Sequence, residues 1–143
     1  MKTWDVAIEN IEKLPEKVVR GTVLGMFSRI VKRSPVDTGR FRGNWQITID
    51  APATGQLGAD KGGGRAIAAA ASVAQGERFP ARAYFITNNL PYGEKLEFGG
   101  YPTAPKNPTG KTQGGFSAQA PNGMVRISIA EFEKVIKEAA AKV

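Results

Sequence analysis

Apolar residues recur every three or four positions before residue 34, and this spacing predicts an amphipathic helix that ends at Arg33. The apolar stripe contains Val19, Val23, Met26, Phe27 and Ile30. Pro15 suits the first turn of such a helix, and Pro35 disfavours a helical conformation for the residue before it. A weaker helical pattern runs from Trp4 to Leu14, with a break expected near Leu14. We expect the stripe to cover a β-sheet.

Alternation of apolar and polar residues predicts three strands. The first covers residues 45–49, whose odd-numbered positions are apolar and point to one face. The second covers residues 82–88, which are rich in aromatic and β-branched side chains. A third strand is predicted over residues 125–129, whose odd-numbered positions are again apolar.

Three further helical segments are predicted downstream of the first strand. Alanine-rich residues 67–74 favour a short helix, and a helical turn is expected over residues 92–98. Ser128 and Glu131 have the spacing of a capping box, which predicts a C-terminal helix over residues 129–143. The buried face of that helix is expected to contain Phe132, Val135, Ile136 and Ala139.

Two stretches have too many glycines, prolines and polar residues to pack on their own. Residues 50–65 are glycine-rich, and residues 99–120 combine prolines, glycines and lysines with few large apolar side chains. We expect two long flexible arms, of which the first protrudes. The predicted fold is α+β, with a single domain over residues 1–143. In it, the long N-terminal helix and the C-terminal helix pack on a small, mainly antiparallel sheet.

The composition restricts the chemistry that the chain can perform. It has 143 residues, 41% of them hydrophobic, which suits one core. It contains neither cysteine nor histidine, so the commonest nucleophiles, acid–base groups and zinc ligands are missing. No apolar run approaches the roughly 20 residues that span a bilayer, and no signal-peptide core follows the first residues. We expect a protein without catalytic residues, cofactor, metal or membrane contact, made in the cytoplasm.

Three short motifs resemble chemical sites but are better explained by local structure. Asp37-Thr38-Gly39 resembles an aspartic-protease loop, but Arg40 follows it and a helix precedes it, so a turn explains it. Gly110-Lys111-Thr112 resembles the end of a phosphate-binding loop. Pro105 stands where that loop needs its first glycine, and no helix is predicted to follow. Gly62-Gly63-Gly64 follows no predicted strand, which disfavours a dinucleotide loop.

Three sequence blocks occur in an order that is typical of one protein family. They are Pro35-Val36-Asp37-Thr38-Gly39-Arg40, then Asn88-Asn89-Leu90-Pro91-Tyr92 with Leu96-Glu97-Phe98-Gly99, then Ala120-Pro121-Asn122-Gly123-Met124. We call them the first, second and third blocks. In this order they resemble the tail-completion family of long-tailed, lambda-like bacteriophages, and the resemblance covers nearly the whole chain.

The resemblance implies a structural virion protein at the head–tail junction, assembled in the host cytoplasm. Family members are expected to form rings, with six subunits as the expected number, around the channel through which DNA passes. The expected neighbours are the head-closure and tail-terminator proteins, and each subunit of a ring needs two different complementary surfaces. The residues expected to be architectural are Pro35, Asp37, Thr38, Gly39, Trp45, Asn89, Pro91, Tyr92, Glu97, Gly99, Pro121 and Gly123.

A surplus of positive charge indicates an anionic partner. Twenty lysines and arginines against 13 acidic residues give a formal net charge of +7. The candidate contact residues near the end of the first helix are Arg29, Lys32, Arg33, Arg40 and Arg42. The candidates in the two arms are Lys61, Arg65, Tyr101, Lys106 and Lys111. An acidic protein surface is the favoured partner, with only non-specific proximity to genomic DNA. The alternative is a DNA-binding accessory or regulatory protein that uses this basic surface.

Overall fold

The computed structural model describes residues 15–76 and 83–143. Its helices are α1 (Glu16–Arg33), α2 (Arg40–Gly43), α3 (Gly64–Ala74), α4 (Gly93–Phe98), α5 (Val125–Ile129) and α6 (Phe132–Ala141). Its strands are β1 (Trp45–Ile49), β2 (Tyr84–Asn88), β3 (Thr112–Gln113) and β4 (Phe116–Ser117). The helix predicted over residues 4–14 lies outside the described residues.

The sheet is small and antiparallel, which confirms the predicted α+β fold. β1 pairs with β2, so that Trp45 lies opposite Asn88 and Ile47 opposite Ile86. β3 and β4 form a second, shorter antiparallel pair inside the predicted second arm. Within the described part of the chain, each strand has one neighbouring strand.

The hydrophobic core lies where α1, α3 and β1 meet. All five residues of the predicted α1 stripe are buried, and Phe27 is fully buried. Ala66 and Ala70 of α3 belong to the same buried cluster as Trp45 and Ile47. Each large apolar side chain buried here stabilises the fold by roughly 1.5–3 kcal/mol. The predictions for α1, β1, β2, α3 and the helical turn of α4 are confirmed.

α6 packs closely on α1 through two glycines. A Cβ at Gly25 would lie 2.7 Å from Cγ1 of Val135, and one at Gly21 would lie 3.0 Å from Cβ of Ala139. Val135 and Ala139 are buried, as predicted, whereas Phe132 and Ile136 are half-buried. Glycine is therefore used in α1, despite its weak helix propensity, to let a second helix approach.

Residues 125–129 form helix α5, so the prediction of a strand there was wrong. The capping box was also wrong. Ser128 lies inside α5 and its hydroxyl donates a hydrogen bond to the carbonyl oxygen of Met124, four residues earlier. α6 begins later, at Phe132. The carboxylate of Glu97 in α4 accepts the backbone amides at the start of α5. This contact outweighs the short alternating pattern of apolar residues.

The first predicted arm does not protrude, so that interpretation was wrong. The side chain of Asn44, which is fully buried, accepts a hydrogen bond from the amide of Leu57 at 2.7 Å and donates one to its carbonyl at 2.9 Å. The amide of Asp60 donates to the carbonyl of Gly39. The last two residues of the stretch belong to α3. Asn44 and Gly39 thus hold the loop against the body.

The second arm is a loop with a structured base. The amides of Gly100 and Tyr101 both donate to the carbonyl of Gly115 at 3.0 Å. The amide of Ala118 donates to the carbonyl of Lys111, across the β3–β4 pair. Residues 102–110 lie beyond this base and form neither helix nor strand.

Candidate functional site

The three sequence blocks, which are far apart in the chain, meet through polar contacts. Gln119 lies next to the third block. Its side chain donates a hydrogen bond to the carbonyl of Val36 and accepts one from the backbone amide of Val36, both at 2.8 Å. The side chain of Asn88 in the second block donates to the carbonyl of Phe41, next to the first block, at 2.9 Å. Glu97 joins the second block to the third. The three blocks therefore form one connected network.

Glu97 is the most heavily used polar side chain of this network. Its carboxylate accepts the backbone amides of Met124 at 2.7 Å, Val125 at 2.9 Å and Arg126 at 2.8 Å. It also accepts Nε of Arg126 at 3.1 Å. Burial is the largest influence on this carboxyl group and by itself raises its pKa. The hydrogen bonds together outweigh burial, so the pKa of Glu97 lies below its usual range.

Gly123 makes room for this carboxylate. Its φ of +78° suits glycine, and a Cβ there would lie 2.8 Å from both the carbonyl oxygen and Oε2 of Glu97. The glycine of the third block is thus required by the glutamate of the second. This contact gives a physical reason for two of the predicted architectural residues.

Other architectural residues have packing roles at the first block. Gly39 has a φ of +86°, and a Cβ there would lie 2.6 Å from the backbone nitrogen of Lys61. The hydroxyl of Thr38 accepts the amide of Arg40. The indole nitrogen of Trp45 donates to the hydroxyl of Ser34 at 2.6 Å. Asp37 is exposed and pairs with Nζ of Lys111 at 3.0 Å, which links the first block to the second arm.

The second block contributes the remaining contacts. The side chain of Asn89 donates to the carbonyls of Ala53 and Gly55 in the first arm. The ring of Tyr92 lies 5.7 Å from that of Phe41. A Cβ at Gly99, whose φ is +81°, would lie 3.0 Å from the ring of Phe116. The three prolines expected to be architectural differ in exposure: Pro35 is half-buried, whereas Pro91 and Pro121 are exposed.

Four of the arginines predicted to contact a partner are used inside the fold. Arg29 pairs with Glu131 and Glu138. Arg33 pairs with Glu131 and also donates to the hydroxyl of Ser128. These bonds raise the pKa of Arg29, chiefly through Glu138, and lower that of Glu131, chiefly through Arg33. Arg29 and Arg33 therefore join α1 to α5 and α6, and their contact with a partner stays a prediction.

Arg42 and Arg65 bind backbone carbonyls. Arg42 donates to the carbonyls of Lys32 and Ser34 at the C-terminal end of α1, where carbonyls lack a partner within the helix. It also donates to the carbonyl of Lys61. Arg65 donates to the carbonyls of Gly43 and Gly58. Both side chains hold the first arm in place, and Arg65 is also exposed. Their role as contact residues stays a prediction.

The other predicted contact residues lie at the surface. Lys32, Arg40, Lys61, Lys106 and Lys111 are exposed, and Tyr101 is half-buried. Arg40 donates to the side chain of Gln56. An open groove of about 450 Å³ beside the end of α1 is lined by Lys32, Arg33 and Arg42 together with Gln119 and Asn122.

Neither loop that resembled a phosphate site has that geometry. The amides at the start of α3 are bound by the protein's own Asp60, which accepts those of Gly63, Arg65 and Ala66. Gly110-Lys111-Thr112 leads into β3 rather than a helix. In the described ranges, no group of three or more acidic side chains is placed to hold a metal ion. No helix among these residues is long and apolar enough to cross a membrane.

No family model, curated protein or solved structure matches this chain. The sequence resemblance to the tail-completion family therefore rests on the three blocks alone.

Sequence reasoning missed several residues that hold the network together. They are Ser34, Asn44, Asp60 and Gln119. Asp60 had a local signal, because an aspartate just before a helix commonly accepts its first amides. Asn44 and Gln119 bind backbone groups 13 and 83 positions away, for which a single sequence contains no signal.

Proposed function

We propose that this chain is a structural virion protein of a tailed bacteriophage. It acts as a tail-completion or neck component that joins the tail to the DNA-filled head, as one subunit of a ring around the DNA channel. The observation that supports this proposal is the meeting of the three blocks in one network. Blocks that recur in a family for architectural reasons should contact one another in the fold, and here they do so through Glu97, Asn88 and Gln119.

The surface offers two different regions for the heterologous contacts of a ring. One is the exposed set of cations at the end of α1 and in the first arm, namely Lys32, Arg40 and Lys61. The other is the tip of the second arm, residues 102–110, which lies beyond the bonded base at Gly115. A ring subunit would use one region for each of its two neighbouring subunits, or one region for the head and the other for the tail.

The decisive experiment is electron microscopy of lysates from the parent phage with an early stop codon in this gene. We expect DNA-filled heads beside separate, full-length tails, which join when the purified protein is added. A variant that lacks residues 103–109 should keep its circular dichroism spectrum but fail to join them. The matched control replaces the same residues with a glycine–serine segment of equal length. Loss of joining in both variants would show that the sequence of the arm is needed, and loss in the deletion alone would show that only its length is needed. Intact virions from the stop-codon phage would refute the joining role.

A second candidate function is DNA binding through the exposed cations Lys32, Lys61 and Lys106. None of the three has a carboxylate partner among the described ion pairs. Binding to duplex DNA with a steep dependence on salt concentration would support it. Weak binding that salt does not change would contradict it.

A further inference from the structure

Two cation–aromatic pairs include residues next to the base of the second arm in the sequence. The guanidinium carbon of Arg126 lies 4.9 Å from the ring centre of Phe98, and Nζ of Lys95 lies 5.6 Å from that of Tyr101. Phe98 is 62% exposed, the largest exposure of any described aromatic side chain. We call these four residues the Phe98 patch. The patch combines an exposed aromatic ring with an arginine, and both residue types are enriched at protein interfaces.

Hydrogen bonds to Glu97 and Lys95 hold Arg126 and the backbone after Phe98 in place. Arg126 donates to the carboxylate of Glu97 and, at 2.6 Å, to its carbonyl. Only part of its guanidinium is covered, since half of the side chain, 52%, stays exposed. After Phe98, the amide of Gly99 donates to the carbonyl of Lys95, and the ring of Phe116 packs on Gly99. The guanidinium of Arg126, fixed in this way, loses little freedom on binding, which favours affinity.

Cations outnumber carboxylates in the part of the chain that carries the patch. From Gly93 to Ala130 there are four cations, Lys95, Lys106, Lys111 and Arg126, and two carboxylates, Glu94 and Glu97. Glu97 is bound by three backbone amides and by Arg126, and Lys111 pairs with Asp37. The surplus of positive charge, together with the formal net charge of +7 for the whole chain, favours a partner surface that carries negative charge.

We propose that the Phe98 patch docks onto an acidic face of another virion protein. That face offers an apolar pocket to the ring of Phe98 and carboxylates to Arg126 and Lys95. Exposed aromatic and arginine side chains of this kind dominate the affinity of many protein interfaces. Duplex DNA is the poorer fit because inserting the ring between its stacked bases costs unstacking energy. This inference rests on the proposed function and names the partner chemistry of that joining role.

The test uses the purified full chain in the joining assay with the stop-codon lysate. Phe98→Ala should fold normally, because the ring is exposed, and should lower joining at limiting protein by at least about tenfold. Val143→Ala is the matched control, since Val143 is also a large exposed apolar side chain, at 66%, and lies outside the patch and both arms. Its joining activity should equal that of the wild type. Normal joining by Phe98→Ala overturns the inference.

A second measurement does not depend on a loss of activity. With p-benzoylphenylalanine in place of Phe98, irradiation during joining should cross-link the chain to a head or tail protein. Cross-links found only to DNA, or only to a second copy of this chain, overturn the inference. If the wild-type protein itself fails to restore joining, the proposed function fails and the inference falls with it. If only Phe98→Ala behaves like the wild type, the inference alone fails.

Discussion

Glu97 shows how one carboxylate can decide the conformation of a distant segment. It binds backbone amides 27, 28 and 29 positions further along the chain. A carboxylate at three consecutive amides satisfies the donors at a helix start and favours helix over strand. Residues 125–129 are therefore helical although their apolar pattern alternates.

The stability that Glu97 provides should depend on pH. Its pKa is lowered in the folded protein, so it stabilises the fold above the ordinary glutamate pKa of about 4.3. That stability is lost as the pH falls through the lowered, folded value. Glu97→Gln should cost about 2 kcal/mol at pH 7, and the difference should shrink below about pH 4. Urea unfolding of both proteins between pH 7 and pH 3 measures it; a gap that is constant with pH would contradict the ionic role.

Gly123 should tolerate alanine less well than a glycine of the same conformation in open space. Gly110 also has a φ of +78°, but a Cβ there would meet nothing within 4 Å. Gly110→Ala should therefore cost about 1–2 kcal/mol for backbone strain alone. Gly123→Ala should cost roughly 1–3 kcal/mol more, because its Cβ overlaps Glu97. Thermal and urea unfolding of the two variants give the comparison, and equal losses would argue against the close approach.

At the scale of elements, the packing of α6 on α1 depends on a missing side chain. Gly25 leaves the space that Cγ1 of Val135 occupies. Valine has one preferred side-chain rotamer in a helix, so it cannot easily turn away from an added methyl group. The two positions should therefore be strongly coupled in energy.

A double-mutant cycle tests this coupling through a change of sign. In the wild-type background, Gly25→Ala should destabilise the protein by about 1–2 kcal/mol, because overpacking exceeds the gain in helix propensity. In a Val135→Ala background the same change should stabilise by up to about 1 kcal/mol. Chemical denaturation of the four proteins measures both steps. The same sign in both backgrounds would mean that the helices can separate at little cost.

Local patterns were sufficient for some elements and not for others. α1, β1, β2 and α3 could be predicted because each shows its buried face as a clear spacing or a favourable composition. α5 could not, because five alternating residues fit either a strand or a helix and the deciding group, Glu97, belongs to another element. The ion pairs of Arg29 and Arg33 were missed for the same reason, since Glu131 lies about a hundred positions away.

At the scale of the whole molecule, the two predicted arms differ in kind. The first is bonded to the body by Asn44 and Arg65 and forms part of the fold. The second has a bonded base and, over residues 102–110, no backbone amide that donates to another described backbone group. Composition alone made the two arms look alike, because glycine and proline content does not indicate which polar partners a loop will find.

Hydrogen exchange should separate the two arms. The amides of Leu57 and Asp60 are hydrogen-bonded and should be protected, whereas those of Thr103 and Lys106 should exchange within about tenfold of the rate of an unstructured peptide. Exchange measured by NMR or by mass spectrometry of peptides from each arm provides the test. Similar protection in the two arms would contradict this division.

The contact between α1 and α6 also bears on how the chain folds as it is synthesised. Arg29 and Glu138 are 109 positions apart, and α6 packs on the face of α1 at Gly21 and Gly25. Long-range contacts of this kind slow folding, because a large loop must close before they form. On the ribosome, the contact between α1 and α6 therefore cannot form until the C-terminal residues have emerged.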